Sequence, residues 1–386
     1  MLRLAVNRAR TWLSALAFEA ASAGSSTARV DKMCARISKR PQVAVRLLAA
    51  LAVLAGVTTV MFLFSSSFGL GLLASSSDAT PRPELIVATF STKANKGFCD
   101  TVLSAAAYGH VPVIVGWGEE WKGYRSKVVS TLSYFEKLAP TDVVLFHDGF
   151  DVHFQLGKER LLDAFLRQNA SILYMAEKNC WPMFDSRCDA FPKSPLPRWA
   201  WGPGTVYQWH QHELNIPHFL NAGTMMGFVG PSSTLFREMV RQVMEKEAQG
   251  HGVDDQELAA MLYTGGKFGV KLDFWMATMM SMHYSKDDTV LEPDTDNFGP
   301  AEAETHKIRR HKITGTVPGV LHYNGNGKEW MDDFAKESWW RNKELVDRSK
   351  VIFQTTDGQT VQWSKVCDEY YVPPPNSTAA GEETPK

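Results

Sequence analysis

Three kinds of motif are missing from this sequence of 386 residues, and each absence excludes a class of function. No G-x-G-x-x-G follows the first predicted strand and no Gly-Lys-Ser/Thr closes a loop, which excludes the common glycine-rich nucleotide-binding motifs. No paired C-x-x-C sequences are present, which excludes the usual structural zinc sites. The 41 basic and 42 acidic residues nearly balance and form no basic stripe with interleaved aromatics, so nucleic-acid binding is not expected.

Cysteine is also scarce, with five in the chain. Four of them, Cys99, Cys180, Cys188 and Cys367, follow the longest apolar run. An even number beyond that run indicates disulfides if this part of the chain lies in an oxidising compartment. Four cysteines allow three pairings, of which Cys180 with Cys188 closes the shortest loop and is the first candidate. Four buried thiols are the alternative.

The longest uncharged run extends from Leu47 to Ala74 and exceeds the ~20 residues that a helix needs to cross the hydrocarbon core. The segment before it is rich in Lys and Arg and holds only Glu19 and Asp31 as acids. The positive-inside rule therefore predicts a single-pass type II membrane protein of the Golgi or endoplasmic reticulum, with its C-terminal part in the lumen. A cleaved signal peptide is the competing interpretation, but the run is long and begins far from Met1.

Two N-glycosylation sequons agree with a lumenal location, at Asn169-Ala170-Ser171 and Asn376-Ser377-Thr378. We predict five segments: a cytoplasmic segment 1–46, a membrane span 47–74, a stem 75–83, a folded domain 84–345, and a C-terminal extension with a disordered tail 346–386. The stem is polar and contains proline, as is typical of a linker.

Strand and helix patterns alternate along the folded domain, which indicates a doubly wound, mostly parallel α/β sheet. The predicted strands are Leu85 to Thr89, Val111 to Val115, Val143 to Phe146 and Ile172 to Ala176. The predicted helices are Asp100 to Tyr108, Lys127 to Leu138 and Glu159 to Arg167.

The strand that begins at Val143 ends at two carboxylates, Asp148 and Asp151. A short apolar run that stops at polar groups is typical of a buried parallel strand, whose carboxyl end is where α/β sheets bind ligands. Two hard oxygen ligands on one turn suit Mg²⁺ or Mn²⁺, and such an ion can bridge to a diphosphate. The alternative is that Asp148 caps a turn and Asp151 is a solvated loop residue.

Seven short motifs follow one another along the chain in a recognisable order. They are V-A-T at Val87, G-E-E-W-K-G at Gly118, D-G-F-D at Asp148, A-E-K-N-C-W-P at Ala176, L-N-A-G at Leu220, D-D-Q at Asp254 and H-Y-N-G at His322. In this order they resemble the N-terminal glycosyltransferase domain of the procollagen lysyl hydroxylase and procollagen glycosyltransferase family. The resemblance covers about 85–330 and implies a GT-A fold, a UDP-sugar donor and Mn²⁺.

The resemblance implies a role for each matching residue. Asp148, Asp151 and His322 would hold the metal, and imidazole with carboxylates suits Mn²⁺ better than Mg²⁺. The residues implied to bind the donor are Val87 and Thr89 at the first strand, Lys127 at the diphosphate, and Phe150, Trp181 and Asn221 around the nucleoside and sugars. Phe150 replaces the tyrosine usual in the family, so it can stack on a uracil ring without offering a hydroxyl.

Asp254 and Asp255 begin a predicted helix, where a carboxylate in the first turn is favoured by the helix dipole. The helix dipole is a sufficient explanation for one of these two aspartates. In the resembling family the D-D-Q motif lies beside the donor sugar, so we expect Asp255 or Asp254 to be required for transfer rather than for metal binding.

The sequence therefore predicts a Mn²⁺-dependent glycosyltransferase that moves a glucose or galactose from a UDP-sugar to a hydroxyl of a protein or glycan. The family's His-x-Asp and distal His for iron do not follow Trp330, so lysine hydroxylation is not expected. One alternative is a catalytically inactive lumenal lectin or scaffold that keeps the fold. A metal-dependent phosphodiesterase would need a second metal cluster, and none is evident.

Overall fold

A computed structural model describes residues 82–196, 216–295 and 297–371 of the chain. The predicted cytoplasmic segment, the predicted span Leu47 to Ala74, most of the predicted stem and the sequon at Asn376 lie outside these residues. Within the described ranges no helix is long and apolar enough to cross a membrane.

An eight-stranded mixed sheet forms the centre of the fold, in the order β13-β12-β2-β1-β3-β6-β5-β7. Its strands are β1 (Leu85–Phe90), β2 (Val113–Val115), β3 (Val143–Asp148), β5 (Ile172–Glu177), β6 (Phe219–Phe228), β7 (Val270–Asp273), β12 (Ile352–Thr355) and β13 (Thr360–Gln362). Four neighbouring pairs are parallel, and β6 and β13 run antiparallel to their neighbours. The predicted class, α/β with a mostly parallel sheet, is confirmed.

Eight α-helices are found in the described residues. They are α1 (Lys96–Ala107), α2 (Tyr124–Phe135), α3 (Lys158–Arg167), α4 (Val229–Ala248), α5 (Asp255–Thr264), α6 (Pro300–Ala303), α7 (Lys328–Glu337) and α8 (Trp363–Cys367). Alternate residues of β3 point to opposite faces of the sheet. Val144 and Phe146 pack with α2, α4 and α5, whereas Val143 and Leu145 pack with α3. Both faces of β3 are therefore covered, which explains its continuous apolar sequence.

Element boundaries differ from the predicted ones for local reasons. β2 begins at Val113 rather than Val111, because Pro112 has no N–H for a ladder and Val111 is exposed. α1 begins at Lys96 rather than Asp100, since the Asn95 side chain accepts a hydrogen bond from the backbone N–H of Phe98 at 2.8 Å.

Two small sheets lie beside the main one. β4 (Val152–Phe154), β11 (Val320–His322) and β8 (Met279–Ser281) form the first, and β9 (Thr289–Pro293) with β10 (Lys307–His311) forms the second. β11 runs antiparallel to β4, with His322 opposite Val152. This register places His322 beside the turn that connects β3 to β4.

The segment beyond residue 345 extends the same sheet. β12 pairs in parallel with β2, and a disulfide joins Cys99 on α1 to Cys367 on α8. The indole N–H of Trp363 donates to the carbonyl of Cys99 at 2.9 Å. The second disulfide joins Cys180 to Cys188, which confirms the pairing predicted from the shortest loop.

Candidate functional site

A cavity of about 640 Å³ opens at the carboxyl ends of three parallel-sheet strands. Phe90 ends β1, Asp148 ends β3 and Glu177 ends β5, and all three line the cavity. This is the edge at which α/β sheets bind ligands, because the connecting loops spread apart there.

Asp148, Asp151 and His322 meet in this cavity, with ligand atoms all within 4.8 Å of one another. His322 Nε2 lies 3.3 Å from Asp151 Oδ1 and 3.6 Å from Asp148 Oδ2. No other group of His, Cys, Asp and Glu in the described part of the chain is close enough to hold an ion. The three residues predicted as metal ligands are thus brought together by β3, the β3–β4 turn and β11.

The orientation of His322 is fixed by Asn221 on β6. Asn221 Oδ1 accepts a hydrogen bond from the Gly223 N–H at 2.8 Å and lies 3.1 Å from His322 Nδ1. Since an amide oxygen only accepts, Nδ1 carries the proton and Nε2 faces the two aspartates. A Cβ at position 223 would lie 2.0 Å from His322 Cε1, so the ring occupies space that only glycine leaves.

A divalent cation fits this cluster. His322 Nε2 is buried and makes no hydrogen bond, and the donor set of two carboxylates and one imidazole suits Mn²⁺. Burial lowers the pKa of His322, but the carboxylates of Asp151 and Asp148 outweigh this and raise it overall. Burial likewise raises the pKa of Asp151, while His322 and Lys328 bring it below the ordinary value. The charges of Asp148, Asp151, His322 and Lys328 thus act on one another across this cluster.

Two lysines contact the metal-ligand aspartates in different ways. Lys127 on α2 is buried, and its Nζ lies 2.6 Å from both Asp148 Oδ1 and Asp255 Oδ2. Lys328, the first residue of α7, has a side chain that is 64% exposed, with Nζ 3.2 Å from Asp151 Oδ2. Burial opposes the charge of Lys127, but the two carboxylates raise the pKa of its ammonium above the ordinary value.

The two adjacent aspartates of the D-D-Q motif differ in environment. Asp254 is the N-cap of α5, and its Oδ1 accepts from the backbone N–H groups of Gln256 and Glu257 at 2.9 and 3.0 Å. Asp255 is buried against Lys127, and burial raises the pKa of its carboxyl. Both line the cavity, but the helix cap accounts for Asp254 alone.

Glu177 is a buried carboxylate that sequence reasoning missed. Its two oxygens accept hydrogen bonds from Gln256 Nε2 at 2.7 Å and Asn324 Nδ2 at 2.8 Å. Burial raises the pKa of Glu177 to about 7, although these hydrogen bonds act to lower it. Glu177 follows the predicted strand Ile172 to Ala176, much as Asp148 follows the predicted strand that begins at Val143. This position at the end of a strand was the signal that could have identified Glu177.

The remaining predicted donor residues are divided between the cavity and the core. Phe150 and Trp181 line the cavity and are 38% and 52% exposed. Asn221 also lines it, although its oxygen is engaged by His322 and Gly223. The structure places Val87 in the hydrophobic core, and Thr89 donates its hydroxyl to the carbonyl of His147 at 2.7 Å. Neither side chain faces the cavity, whereas Phe90 does.

Sequence comparison relates this sheet and the acidic cluster at its carboxyl edge to known proteins. Residues 81–194 match the family described as the PLOD GT domain. This match confirms the resemblance to the glycosyltransferase domain of the procollagen lysyl hydroxylases.

Curated relatives match a longer part of the chain. The Drosophila melanogaster procollagen-lysine,2-oxoglutarate 5-dioxygenase is 24% identical over 255 residues, covering 63% of this chain and 30% of that protein. The human multifunctional procollagen lysine hydroxylase and glycosyltransferase LH3 is 25% identical over 275 residues, with coverages of 66% and 32%. The Bos taurus procollagen-lysine,2-oxoglutarate 5-dioxygenase 1 is 32% identical over 277 residues, with coverages of 68% and 33%. The chain thus spans about a third of the length of these relatives.

Two solved glycosyltransferase structures also match, at low similarity. A galactosyltransferase in complex with donor and acceptor sugar analogs is 13% identical with a TM-score of 0.35, covering 66% of this chain and 96% of that one. A glycosyltransferase involved in the glycosylation of the major capsid of PBCV-1 is 10% identical with a TM-score of 0.37, covering 66% and 100%.

Proposed function

We propose that this chain is a Mn²⁺-dependent glycosyltransferase of GT-A type that transfers glucose or galactose from a UDP-sugar to a hydroxyl of a protein or glycan. The observation that carries the proposal is the Asp148, Asp151 and His322 cluster, in which a buried histidine nitrogen without a hydrogen bond faces two carboxylates inside a large cavity. The match of residues 81–194 to the PLOD GT domain family supports the reaction class.

The three cluster residues would hold the ion, which when bound supplies positive charge to the leaving diphosphate. Lys328 is the cation best placed to assist, because its exposed four-carbon stem reaches the cavity next to Asp151. The aromatic rings of Phe150 and Trp121 offer flat surfaces on the same cavity wall as the end of β1, where a uracil ring can stack.

Asp255 is our candidate for the group that acts on the donor sugar. It is buried, lies outside the metal-ligand cluster and lines the cavity, so its carboxylate can orient sugar hydroxyls or stabilise positive charge at the anomeric carbon. Trp181 and Phe184, both exposed and 5.3 Å apart between ring centroids, offer an aromatic surface for a second sugar or a peptide.

We further propose that the domain lies in the lumen of the endoplasmic reticulum or Golgi, anchored as a type II membrane protein by Leu47 to Ala74. The two disulfides support an oxidising compartment. The names of the relatives refer to procollagen, so a hydroxylysine-bearing collagen peptide is the first acceptor to test.

The test is calorimetric titration of UDP into the purified full chain with and without Mn²⁺, followed by hydrolysis assays across UDP-sugars. We expect UDP binding that depends on Mn²⁺ and that Asp151→Asn abolishes while the variant still unfolds in one cooperative thermal transition. If Asp151→Asn binds UDP like the wild type, the cluster is not a metal site and the proposal fails. UDP binding without hydrolysis of any UDP-sugar would instead favour an inactive lectin-like protein.

A further inference from the structure

The position of Lys127 differs from that of a lysine that binds phosphate. Its side chain is 10% exposed, and its ammonium is 2.6 Å from each of two carboxylate oxygens. An ammonium has three N–H donors, of which two are already committed to Asp148 and Asp255. Lys127 also lies on a helix whose Val128 and Phe135 are in the core, so the residue has little freedom to swing into the cavity.

The two carboxylate oxygens of Asp148 have different partners, because Lys127 contacts only one of them. Oδ1 accepts from Lys127, while Oδ2 lies 3.6 Å from His322 Nε2. The lysine therefore holds the carboxylate in the rotation that directs Oδ2 toward the other metal ligands. Without this contact the carboxylate would be free to turn about its last torsion, which is broad for aspartate.

The same ammonium holds Asp255 beside the metal-ligand cluster. Asp255 and Asp148 are like charges that would repel each other in a buried setting, and the positive charge between them offsets this repulsion. Asp255 Oδ2 is the atom that contacts Lys127, and Asp255 is not one of the three residues of the cluster. The bridge thus connects the proposed metal site to the carboxylate proposed to act on the sugar.

We infer that Lys127 is a positioning residue that fixes Asp148 and Asp255 relative to each other and does not contact the donor diphosphate. The inference rests on the proposed function and reverses the role that sequence resemblance implied for Lys127. The exposed Lys328, beside Asp151, is the cation that remains available to the diphosphate.

The first experiment tests the bridge without any nucleotide. A double-mutant cycle of Lys127→Met, Asp255→Asn and the double variant is measured by urea unfolding. We expect Lys127→Met to raise the unfolding equilibrium constant strongly and the double variant to reverse at least tenfold of that rise, because the more deeply buried carboxylate of Asp255 is then no longer left without a positive partner. Additive effects would overturn the inference, and this outcome does not depend on whether the protein binds UDP.

The second experiment separates positioning from diphosphate binding. At Mn²⁺ concentrations that saturate the metal site of each variant, the Kd for UDP of the Lys127→Met/Asp255→Asn double variant should stay within threefold of that of Asp255→Asn alone, whereas Lys328→Met should weaken UDP binding at least tenfold. Lys122→Met, on the exposed loop before α2, is the matched control and should bind like the wild type. A tenfold loss of UDP affinity at saturating Mn²⁺ that is specific to the Lys127 substitution would overturn the inference, whereas a loss confined to Mn²⁺ affinity is the expected effect of freeing Asp148.

The third experiment uses the conservative variant Lys127→Arg. A guanidinium keeps the charge but cannot place one nitrogen between the two carboxylates. We expect kcat for UDP-sugar hydrolysis to fall at least tenfold with KM changed less than threefold. An increase in KM with unchanged kcat would indicate that Lys127 binds the donor equally well in the ground state and the transition state. This result would contradict the positioning role. If the wild type shows no Mn²⁺-dependent UDP binding, the proposed function fails, and the unfolding cycle still decides whether the bridge exists.

Discussion

Two of the buried charged clusters among the described residues differ in whether their hydrogen bonds are complete. The Asp100 cluster consists of Asp100, Lys96, Arg341 and Tyr371, and Asp100 is fully buried. Asp100 Oδ1 pairs with Arg341 and with the Tyr371 hydroxyl, and Oδ2 lies 3.2 Å from Lys96 Nζ. Both oxygens are satisfied by the protein.

The metal-ligand cluster of Asp148, Asp151 and His322 is not satisfied in this way. His322 Nε2 makes no hydrogen bond, and the cluster opens into the cavity of about 640 Å³. A satisfied buried network makes a fold rigid, whereas a buried polar atom left without a partner needs another explanation, such as a ligand. This difference is the reason for proposing a ligand at the cluster of Asp148, Asp151 and His322 and not at the Asp100 cluster.

The largest expected effect is loss of the metal site through Gly223→Ala. The added Cβ would lie 2.0 Å from His322 Cε1, so the ring must leave the cluster. We expect UDP-sugar hydrolysis to fall on the order of ten-thousandfold, or ~5.5 kcal/mol. Gly252→Ala is the control, since nothing lies within 4 Å of its Cβ position. Equal Mn²⁺ affinity in both variants would show that His322 is not a ligand.

A substitution in the Asp100 cluster should lower the stability of the protein rather than its activity. Asp100→Asn removes the charge that compensates Arg341 and Lys96, and breaking a buried pair costs about 3–5 kcal/mol. Urea unfolding should show this loss, while the Kd for UDP with Mn²⁺ stays the same in the folded protein. If Asp100→Asn bound UDP more weakly while its free energy of unfolding stayed the same as that of the wild type, the distinction between the two clusters would be contradicted.

A histidine beside the Asp100 cluster predicts pH-dependent stability. Burial lowers the pKa of His153 to about 4, and its ring packs between Tyr323 and Trp340. Because the pKa is depressed on folding, the stabilising contribution is present above the unfolded value of about 6.5 and is lost as the pH falls toward 4, by ~3 kcal/mol.

The measurement is the free energy of unfolding between pH 7 and 4. His153→Phe keeps an aromatic ring in the site and should reduce the slope of this part of the curve, to which the buried His147 and His311 also contribute. His251→Phe changes an exposed histidine and should leave the curve parallel to that of the wild type. Parallel curves for both variants would assign the acid sensitivity to other groups.

The smallest effects separate the adjacent aspartates. Asp255→Asn should lower kcat about a hundredfold, or ~2.7 kcal/mol, with UDP affinity nearly unchanged. Asp254→Asn should change little, because asparagine caps a helix as well as aspartate does. If both variants transfer sugar at the normal rate, the D-D-Q motif serves only to begin the helix.

The sequence predicted the parts of the site that depend on short segments. A buried strand that ends at Asp148 has a continuous apolar sequence because helices cover both of its faces. The turn to Asp151 follows directly, and the loop between Cys180 and Cys188 is short enough for their pairing to be the first choice.

Contacts between distant segments could not be predicted in the same way. Glu177, Gln256 and Asn324 meet only because β5, α5 and β11 converge at one edge of the sheet. The direction of the Lys127 side chain likewise depends on the position of α5, and no local pattern encodes it. The short β12 and β13 gave too little periodicity to be recognised as strands of the main sheet.

The position of β12 has a consequence for how the domain is made on the ribosome. β2 pairs with β1 on one side and with β12 on the other, where Val113 is opposite Gln354, roughly 240 residues later. At a translation rate of ~5–20 residues per second, β2 remains an open edge for ~10–50 s after it is synthesised. An unpaired edge strand can pair with another chain. The edge of β2 is therefore exposed to such pairing until the last strands of the domain emerge.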